Sequence, residues 1–158
     1  MSTPDRVSLR PAAESDGDFL RALFASTRER ELAFLGAAAQ APFLDLQFKA
    51  QRESYRRSYP QATDAIIEVG GAAAGHLCVD RAGAGLHLID IALLPEYRGR
   101  GIGTALLRAL LAEAAQGKGQ LTLSVAASNP AQSLYERLGF KTVGSDGVYL
   151  FQTAGGDG

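Results

Sequence analysis

A short segment rich in glycine and arginine, Leu94–Gly103, has the composition of an anion-binding loop. It lies between a predicted strand and the start of a strongly amphipathic predicted helix. The first N–H groups of a helix lack intrahelical partners and carry partial positive charge, so they bind anions well. Glycine allows close backbone approach to a ligand, and arginine adds a cationic donor. The segment therefore predicts a diphosphate site, to which Arg98 and Arg100 contribute charge.

Two other nucleotide-binding motifs do not fit this loop. The dinucleotide fingerprint G-x-G-x-x-G needs a third glycine at its sixth position. If the motif began at Gly99, this position would be Thr104, and if it began at Gly101, the position would be Leu106. The Walker motif G-x-x-x-x-G-K-[ST] does not occur in the sequence. A merely flexible turn is the simplest alternative. Spaced glycines directly before so regular a helix favour a ligand site instead.

One carboxylate, Asp90, stands inside the otherwise apolar predicted strand Leu86–Leu94. A charge in such a strand is costly unless it is paired or functional. Asp90 is therefore a candidate general base. A structural carboxylate that caps a loop or binds an arginine explains the pattern equally well, and both readings stay open at this point.

Hydrophobic periodicity and turn residues predict the elements that position these groups. We predict strands over Val7–Arg10, Ala65–Val69, Ala72–Asp80, Leu86–Leu94, Leu121–Val125, Phe140–Val143 and Val148–Gln152. We predict helices over Pro42–Tyr59, Gly101–Gln116, Pro130–Leu138 and a first segment that begins near Ser15 or Asp16.

The order of these elements predicts a mixed α+β fold in one domain. The three middle strands form an antiparallel meander, and the strand–helix–strand unit across Gly101–Gln116 predicts a right-handed crossover between parallel strands. We assign residues 1–153 to this domain and residues 154–158 to a disordered tail.

Two motifs in the second half of the chain resemble those of the GNAT superfamily of N-acetyltransferases. Arg98–Gly103 is similar to the family's R/Q-x-x-G-x-G/A motif. Asn129–Phe140 resembles a later segment with an Asn, a Tyr and a Gly-Phe pair, although Asn129 lies one residue closer to Tyr135 than is common. The resemblance implies a mostly antiparallel, splayed sheet of about six or seven strands flanked by about four helices.

The resemblance also implies a set of site residues for acetyl-CoA. The pantetheine arm would pair with the backbone near Ile91, Ala92 and Leu93, and Asn129 would bind the same arm. Tyr135 would direct its hydroxyl at the thioester sulfur and protonate the leaving thiolate. The diphosphate would contact Arg98, Gly99, Arg100, Gly101, Ile102, Gly103 and Thr104.

The implied reaction is N-acetylation of a primary amine on a small molecule, peptide or protein. Cys78 has no sequence context that indicates an activated nucleophile, which favours direct attack by the amine. A backbone N–H near Ala92 or Leu93 would stabilise the oxyanion, and Asp90 would act as base. The alternative function is a non-catalytic acyl-CoA-binding sensor.

The first two helices and the Val148–Gln152 hairpin are expected to build the acceptor pocket, although they carry no familiar motif. The polar groups available are Glu29, Glu31, Gln47, Gln51, Tyr55 and Tyr59, and the aromatic side chains are Phe34, Phe43 and Phe48.

Composition limits the other functions of this 158-residue chain. A net charge of −1 gives no general attraction to nucleic acid or to an anionic membrane. Two histidines and one cysteine make soft zinc ligands scarce, so we expect no metal. Because the sequence carries no apparent signal peptide or membrane span, we expect a cytoplasmic protein. The family resemblance leaves a homodimer open.

Overall fold

A computed structural model of the chain describes residues 6–32 and 37–155. The strands are β1 (Val7–Pro11), β2 (Thr63–Val69), β3 (Ala72–Asp80), β4 (Leu86–Leu93), β5 (Gln120–Ala126), β6 (Lys141–Ser145) and β7 (Tyr149–Gly155). The α-helices are α1 (Gly17–Leu32), α2 (Ala37–Ser58), α3 (Ile102–Gln116) and α4 (Gln132–Arg137).

All seven strands form one sheet in the order β1-β2-β3-β4-β5-β7-β6. Every neighbouring pair is antiparallel except β4 and β5, which are parallel and are connected through α3. The predicted meander, the crossover and the mixed α+β class are confirmed.

The parallel strands β4 and β5 separate soon after they meet. Their pairing runs only from Leu86 opposite Leu121 to Leu88 opposite Leu123. The second half of β4 therefore has an edge that β5 does not cover, which is the gap implied by a splayed sheet.

Helix α3 covers one face of the sheet with the apolar stripe that its sequence predicts. Ile102, Leu106, Leu107, Leu110 and Ala114 are buried in the main core cluster. Each deeply buried leucine of such a stripe contributes about 2–5 kcal/mol, judged by the cost of its truncation to alanine. The stripe thus fixes the start of α3, and the glycine loop before it, against the sheet.

Helices α1 and α2 pack together on the opposite face. Leu20, Leu23 and Phe24 are the buried side chains of α1, and Phe48 of α2 contacts Phe24 with a ring separation of 5.5 Å. Asp16, predicted as a cap, accepts a hydrogen bond from the Ala13 N–H at 2.7 Å just before α1. These contacts hold two helices over the open half of β4.

Two predicted boundaries are wrong. Helix α2 begins at Ala37, so Pro42 lies inside the helix and not in its first turn. Strand β7 runs through Ala154 and Gly155, and Ala154 is buried. Disorder therefore does not begin at residue 154, while residues 156–158 lie outside the described part of the chain.

Candidate functional site

A cavity of about 910 Å³ opens where β4 and β5 diverge, beneath α1, α2 and α4. It brings together most of the side chains that the sequence predicts for the site. Those that line it are Asp90, Ile91, Ala92, Leu93, Arg98, Gly103, Asn129 and Tyr135.

The other predicted residues surround the N-terminus of α3, outside the cavity lining. They are Gly99, Arg100, Gly101, Ile102 and Thr104. The side chain of Ile102 is buried in the core, so only its backbone can face a ligand. Arg100 lies over the ring of Tyr97, with its guanidinium carbon 5.4 Å from the ring centre.

The start of α3 presents free backbone donors at the mouth of the cavity. The first intrahelical hydrogen bond runs from the Ala105 N–H to the Gly101 carbonyl at 3.0 Å. The N–H groups of Ile102, Gly103 and Thr104 precede that ladder and have no intrahelical acceptor. Gly101 has a φ of 80°, a left-handed conformation that costs a non-glycine residue roughly 1–2 kcal/mol. The loop is thus shaped for an anion by its backbone.

The Arg98 side chain connects this loop to the end of β4. Its Nε donates to the carbonyl oxygen of Leu93 at 2.9 Å. Arg98 therefore holds the loop beside the open strand edge, in addition to bringing positive charge to the mouth of the cavity.

Alternate backbone N–H groups in the second half of β4 point into the gap. The Leu94 N–H donates to Ala74 of β3 at 2.8 Å. Because successive N–H groups of a strand point to opposite sides, those of Leu93 and Ile91 point away from β3, into the gap, whereas that of Ala92 points toward β3. Of the two oxyanion donors expected from the sequence, Leu93 has the suitable direction.

Tyr135 lies on α4 at the wall of the cavity and is 8% exposed. Its ring packs against Phe140 with centres 5.6 Å apart. Burial, followed by the nearby charge of Asp90, raises the pKa of the Tyr135 phenol above its ordinary value. The hydroxyl therefore keeps its proton throughout the neutral range and is suited to act as an acid.

Asn129 lies at the turn between β5 and α4, also on the cavity wall. Its Oδ1 accepts a hydrogen bond from the Ala131 N–H at 2.9 Å. The side chain thereby stabilises the turn, and its amide nitrogen is the group left to donate to a ligand.

Asp90 is paired with a histidine that is not among the predicted site residues. His76 of β3 is 4% exposed, and its Nδ1 lies 3.5 Å from the Asp90 Oδ2. On its other side, the His76 Nε2 lies 2.6 Å from the Oδ1 of Asp64 on β2. Of the two roles left open for Asp90, the structural one was expected to involve a loop or an arginine, whereas the partner observed is a histidine. The cavity position keeps the role of base available.

A bulge directs Asp90 onto this face. Asp90 pairs with Cys78, but the next pair is Val79 with Leu88, so Ile89 has no partner on β3. Such an extra residue bends a strand and redirects its side chains. The irregularity explains how an apolar strand presents a carboxylate beside the cavity.

Helices α1 and α2 supply the remaining wall. The expected residues Phe48, Gln51 and Tyr55 line the cavity, as do Arg28 and Arg52, which sequence reasoning did not single out. Of the other expected acceptor residues, Phe43, Gln47 and Tyr59 lie outside the cavity lining. Phe43 is 41% exposed, and Tyr59 stacks on His87 at 5.2 Å. The side chains of Glu29 and Glu31, and residue Phe34, lie outside the described part of the chain.

Two further features are absent from residues 6–32 and 37–155. Within these ranges no three His, Cys, Asp or Glu side chains are grouped to hold a metal ion. Their helices include none with the length and apolar character needed to cross a membrane.

Comparison with protein families gives one match that spans most of the chain. Residues 24–140 match the model described as the acetyltransferase (GNAT) family. The crystal structure of PaiA N-acetyltransferase from Thermoplasma acidophilum, in complex with coenzyme A, superimposes with a TM-score of 0.71. That match covers 94% of this chain and 98% of the other at 16% identity, which supports the fold alone.

Two curated relatives match over shorter segments. An N-alpha-acetyltransferase of Sulfurisphaera tokodaii is 45% identical over 60 residues, which are 36% of this chain and 36% of the relative. A [ribosomal protein bS18]-alanine N-acetyltransferase of Haemophilus influenzae is 40% identical over 70 residues, 44% of this chain and 48% of the relative. The matches thus span between a third and a half of these relatives.

Proposed function

Because the chain belongs to the GNAT acetyltransferase family, we propose that it transfers the acetyl group of acetyl-CoA to a primary amine by direct attack. The observation that carries this proposal is the meeting, in one cavity, of an open strand edge, a glycine-rich helix start, a buried tyrosine and a carboxylate. A thioester donor and an amine acceptor require these four features.

The donor half of the cavity offers an open strand edge and backbone N–H donors, which support binding of coenzyme A. The N–H groups of Ile102, Gly103 and Thr104 would bind the diphosphate. The edge of β4 at Ile91 and Leu93 would pair with the amides of the pantetheine arm, and Asn129 would donate to the same arm. Acetyl-CoA supplies the activated acetyl group as a thioester.

The acceptor half supplies the proton transfers. The carboxylate of Asp90 accepts a proton from the acceptor ammonium, and the free amine forms a C–N bond to the acetyl carbon. The Leu93 N–H stabilises the charge that develops on the carbonyl oxygen. As the C–S bond breaks, the Tyr135 hydroxyl donates its proton to the departing thiolate. The proton left on the new amide nitrogen then reprotonates Tyr135 through solvent, and Asp90 releases its proton to solvent.

We expect acetyl-CoA-dependent thiol release with amines that fit the acceptor half. Short peptides with a free α-amine, including one that begins with alanine, are the first acceptors to test, because the two curated relatives are named for α-amine and alanine acetylation. Lysine ε-amines, polyamines and amino sugars complete the panel. Thiol release with at least one amine, together with a product 42 Da heavier by mass spectrometry (the mass of an added acetyl group), is the expected result. Acetyl-CoA binding without release across the panel would instead favour the sensor function.

Asp90→Asn should lower kcat/KM for the amine by about 100-fold, in the range that general-base catalysis contributes. The KM for acetyl-CoA should change little, since the carboxylate serves the acceptor half. Asp80→Asn is the matched control, because Asp80 ends β3, accepts the Ala82 N–H at 2.9 Å and lies outside the cavity lining. Equal activity of the two variants in steady-state kinetics would exclude Asp90 as the base.

A further inference from the structure

Three titratable side chains from adjacent strands form a continuous row on the acceptor face of the sheet. They are Asp64 of β2, His76 of β3 and Asp90 of β4. The His76 Nε2 lies 2.6 Å from the Asp64 Oδ1, and the His76 Nδ1 lies 3.5 Å from the Asp90 Oδ2. The two carboxylates are each about one third exposed, whereas the imidazole between them is 5% exposed. The histidine therefore has its polar contacts within the row.

The arrangement of the two carboxylates favours the charged form of His76. A neutral imidazole has one N–H donor and one acceptor nitrogen, whereas an imidazolium donates from both. Here both ring nitrogens face carboxylate oxygens, which accept and do not donate. Only the imidazolium satisfies both contacts at once.

The local electrostatics favour the same state. Burial acts to lower the pKa of His76, but the hydrogen bonds and charges of Asp64 and Asp90 outweigh it, so the pKa lies above its ordinary value. The pKa of Asp64 is lowered, first by its hydrogen bond to His76. A cation between two anions thus gives a compact cluster beside the cavity.

Other titratable groups face this cluster from each element packed on it. Cys78 lies on β3, where burial raises the pKa of its thiol, so it stays neutral. From α2, Arg52 lies 3.7 Å from Asp64, and the phenol of Tyr55, whose pKa is raised by burial and then by Asp90, also stays neutral. Arg28 of α1 lines the same cavity. His76 is therefore the group in this cluster that we expect to change charge as the pH rises above the ordinary pKa of an imidazole.

We infer that His76 is a positioning residue for Asp90: its imidazolium fixes one carboxylate oxygen, Oδ2, and leaves the other for the acceptor amine. This inference depends on the proposed acetyl transfer, in which Asp90 takes the amine proton. Asp64 has a supporting part, since it fixes the opposite ring nitrogen and so orients the ring. The bulge at Ile89 brings Asp90 within reach of that ring.

The direction of the His76 pKa shift determines how activity should depend on pH. Because the pKa is raised, the charged bridge is complete below the ordinary pKa of an imidazole and is lost as the pH rises through the higher pKa of His76. Activity should therefore fall on the alkaline side when His76 loses its proton. In Asp64→Asn, which lacks the charged hydrogen-bond partner that contributes most to raising this pKa, the fall should occur at lower pH.

The bridge itself can be tested without turnover, because the chain has only two histidines. His87→Asn leaves a single imidazole, whose nitrogen signals can be followed by NMR against pH. Both Asp64→Asn and Asp90→Asn in this background should lower the pKa of His76. An imidazole that titrates identically with and without the Asp90 carboxylate would overturn the bridge.

The positioning role is tested by kinetics in the intact protein. His76→Asn should lower kcat/KM for the amine by about tenfold to 100-fold, the cost of a misplaced catalytic group, and should leave the KM for acetyl-CoA within about twofold. The alkaline fall that His76 causes should disappear. His87→Asn is the matched control, because His87 bonds Thr122 and Tyr59 outside the cavity lining.

Three results would count against the inference or against its premise. A His76→Asn enzyme with the rate and pH profile of His87→Asn would refute the positioning role. If His76→Asn does not fold, an unchanged alkaline limb in Asp64→Asn refutes it equally. Failure of wild-type protein to acetylate any amine would refute the proposed function, and the NMR titrations would still decide whether His76 bridges Asp90.

Discussion

Gly103→Val should remove acetyl-CoA binding while the protein stays folded. Gly103 lies in the first turn of α3 and lines the cavity, and no protein atom lies within 4 Å of the position a Cβ would take. A valine side chain would fill the space from which the backbone donors reach a diphosphate. Hydrogen bonds to charged groups contribute about 1.5–3 kcal/mol each. Loss of two would weaken binding by about 100-fold or more, measurable by isothermal titration calorimetry.

A second glycine provides a matched control for this experiment. Gly17 begins α1 with a helical φ of −54°, and a Cβ there would also meet nothing within 4 Å. Gly17→Val should bind acetyl-CoA with the affinity of the wild type. Both variants should have melting temperatures close to that of the wild type. Undiminished affinity in Gly103→Val would exclude the start of α3 as the diphosphate site.

Tyr135→Phe should lower kcat by about 100-fold or more while the affinity for acetyl-CoA stays within about twofold. General-acid catalysis contributes about 10²–10⁴-fold, and the ring contact with Phe140 is kept because only the hydroxyl is removed. The loss should be larger for acetyl-CoA, whose departing thiolate needs a proton, than for a donor whose leaving group needs none. Pre-steady-state measurement of thiol release under saturating donor separates this chemical step from binding.

Tyr59→Phe serves as the comparison, since the Tyr59 hydroxyl lies 3.2 Å from His87 Nε2 and outside the cavity lining. We expect its kcat to remain near the wild-type value. If the two phenylalanine variants turn over equally fast, Tyr135 is not the acid and the thiolate must be protonated by water.

The glycine loop and the stripe of α3 were predictable because both depend on short-range order. Ile102 to Ala114 repeat at helical spacing, and the pattern alone identifies the face that is buried. The loop follows from the same helix, whose start must lie at the end of β4. Local periodicity therefore predicted the helix and the loop that form the proposed donor half of the cavity.

The start of α2 was mispredicted because two local signals compete there. Pro42 suits a first helical turn, and the prediction began the helix at that residue. The preceding segment Ala37–Ala41 consists of four alanines and a glutamine, which are strong helix formers. Their propensity extends the helix by more than a turn and leaves the proline inside.

The Asp64, His76 and Asp90 row could not be found from sequence, because it depends on the register of three strands. Asp64 lies outside the strand predicted from residue 65, and the bulge at Ile89 changes the face on which Asp90 emerges. A single-residue slip reverses every side chain of a strand. An apolar strand with an isolated carboxylate next to another with an isolated histidine was the available signal.

The open half of β4 has a consequence for how specificity can change in this protein. Ile91 and Leu93 pack against the core, Asp90 belongs to the row with His76, and the main-chain N–H groups of Ile91 and Leu93 face the gap. In the proposed reaction, one strand would serve folding, acceptor chemistry and donor recognition through three different sets of atoms. Since main-chain groups are the same whatever the side chains, substitutions beside Asp90 would then alter the choice of amine and leave the use of coenzyme A intact. On this proposal, substrate preference would diversify while donor recognition stays constant.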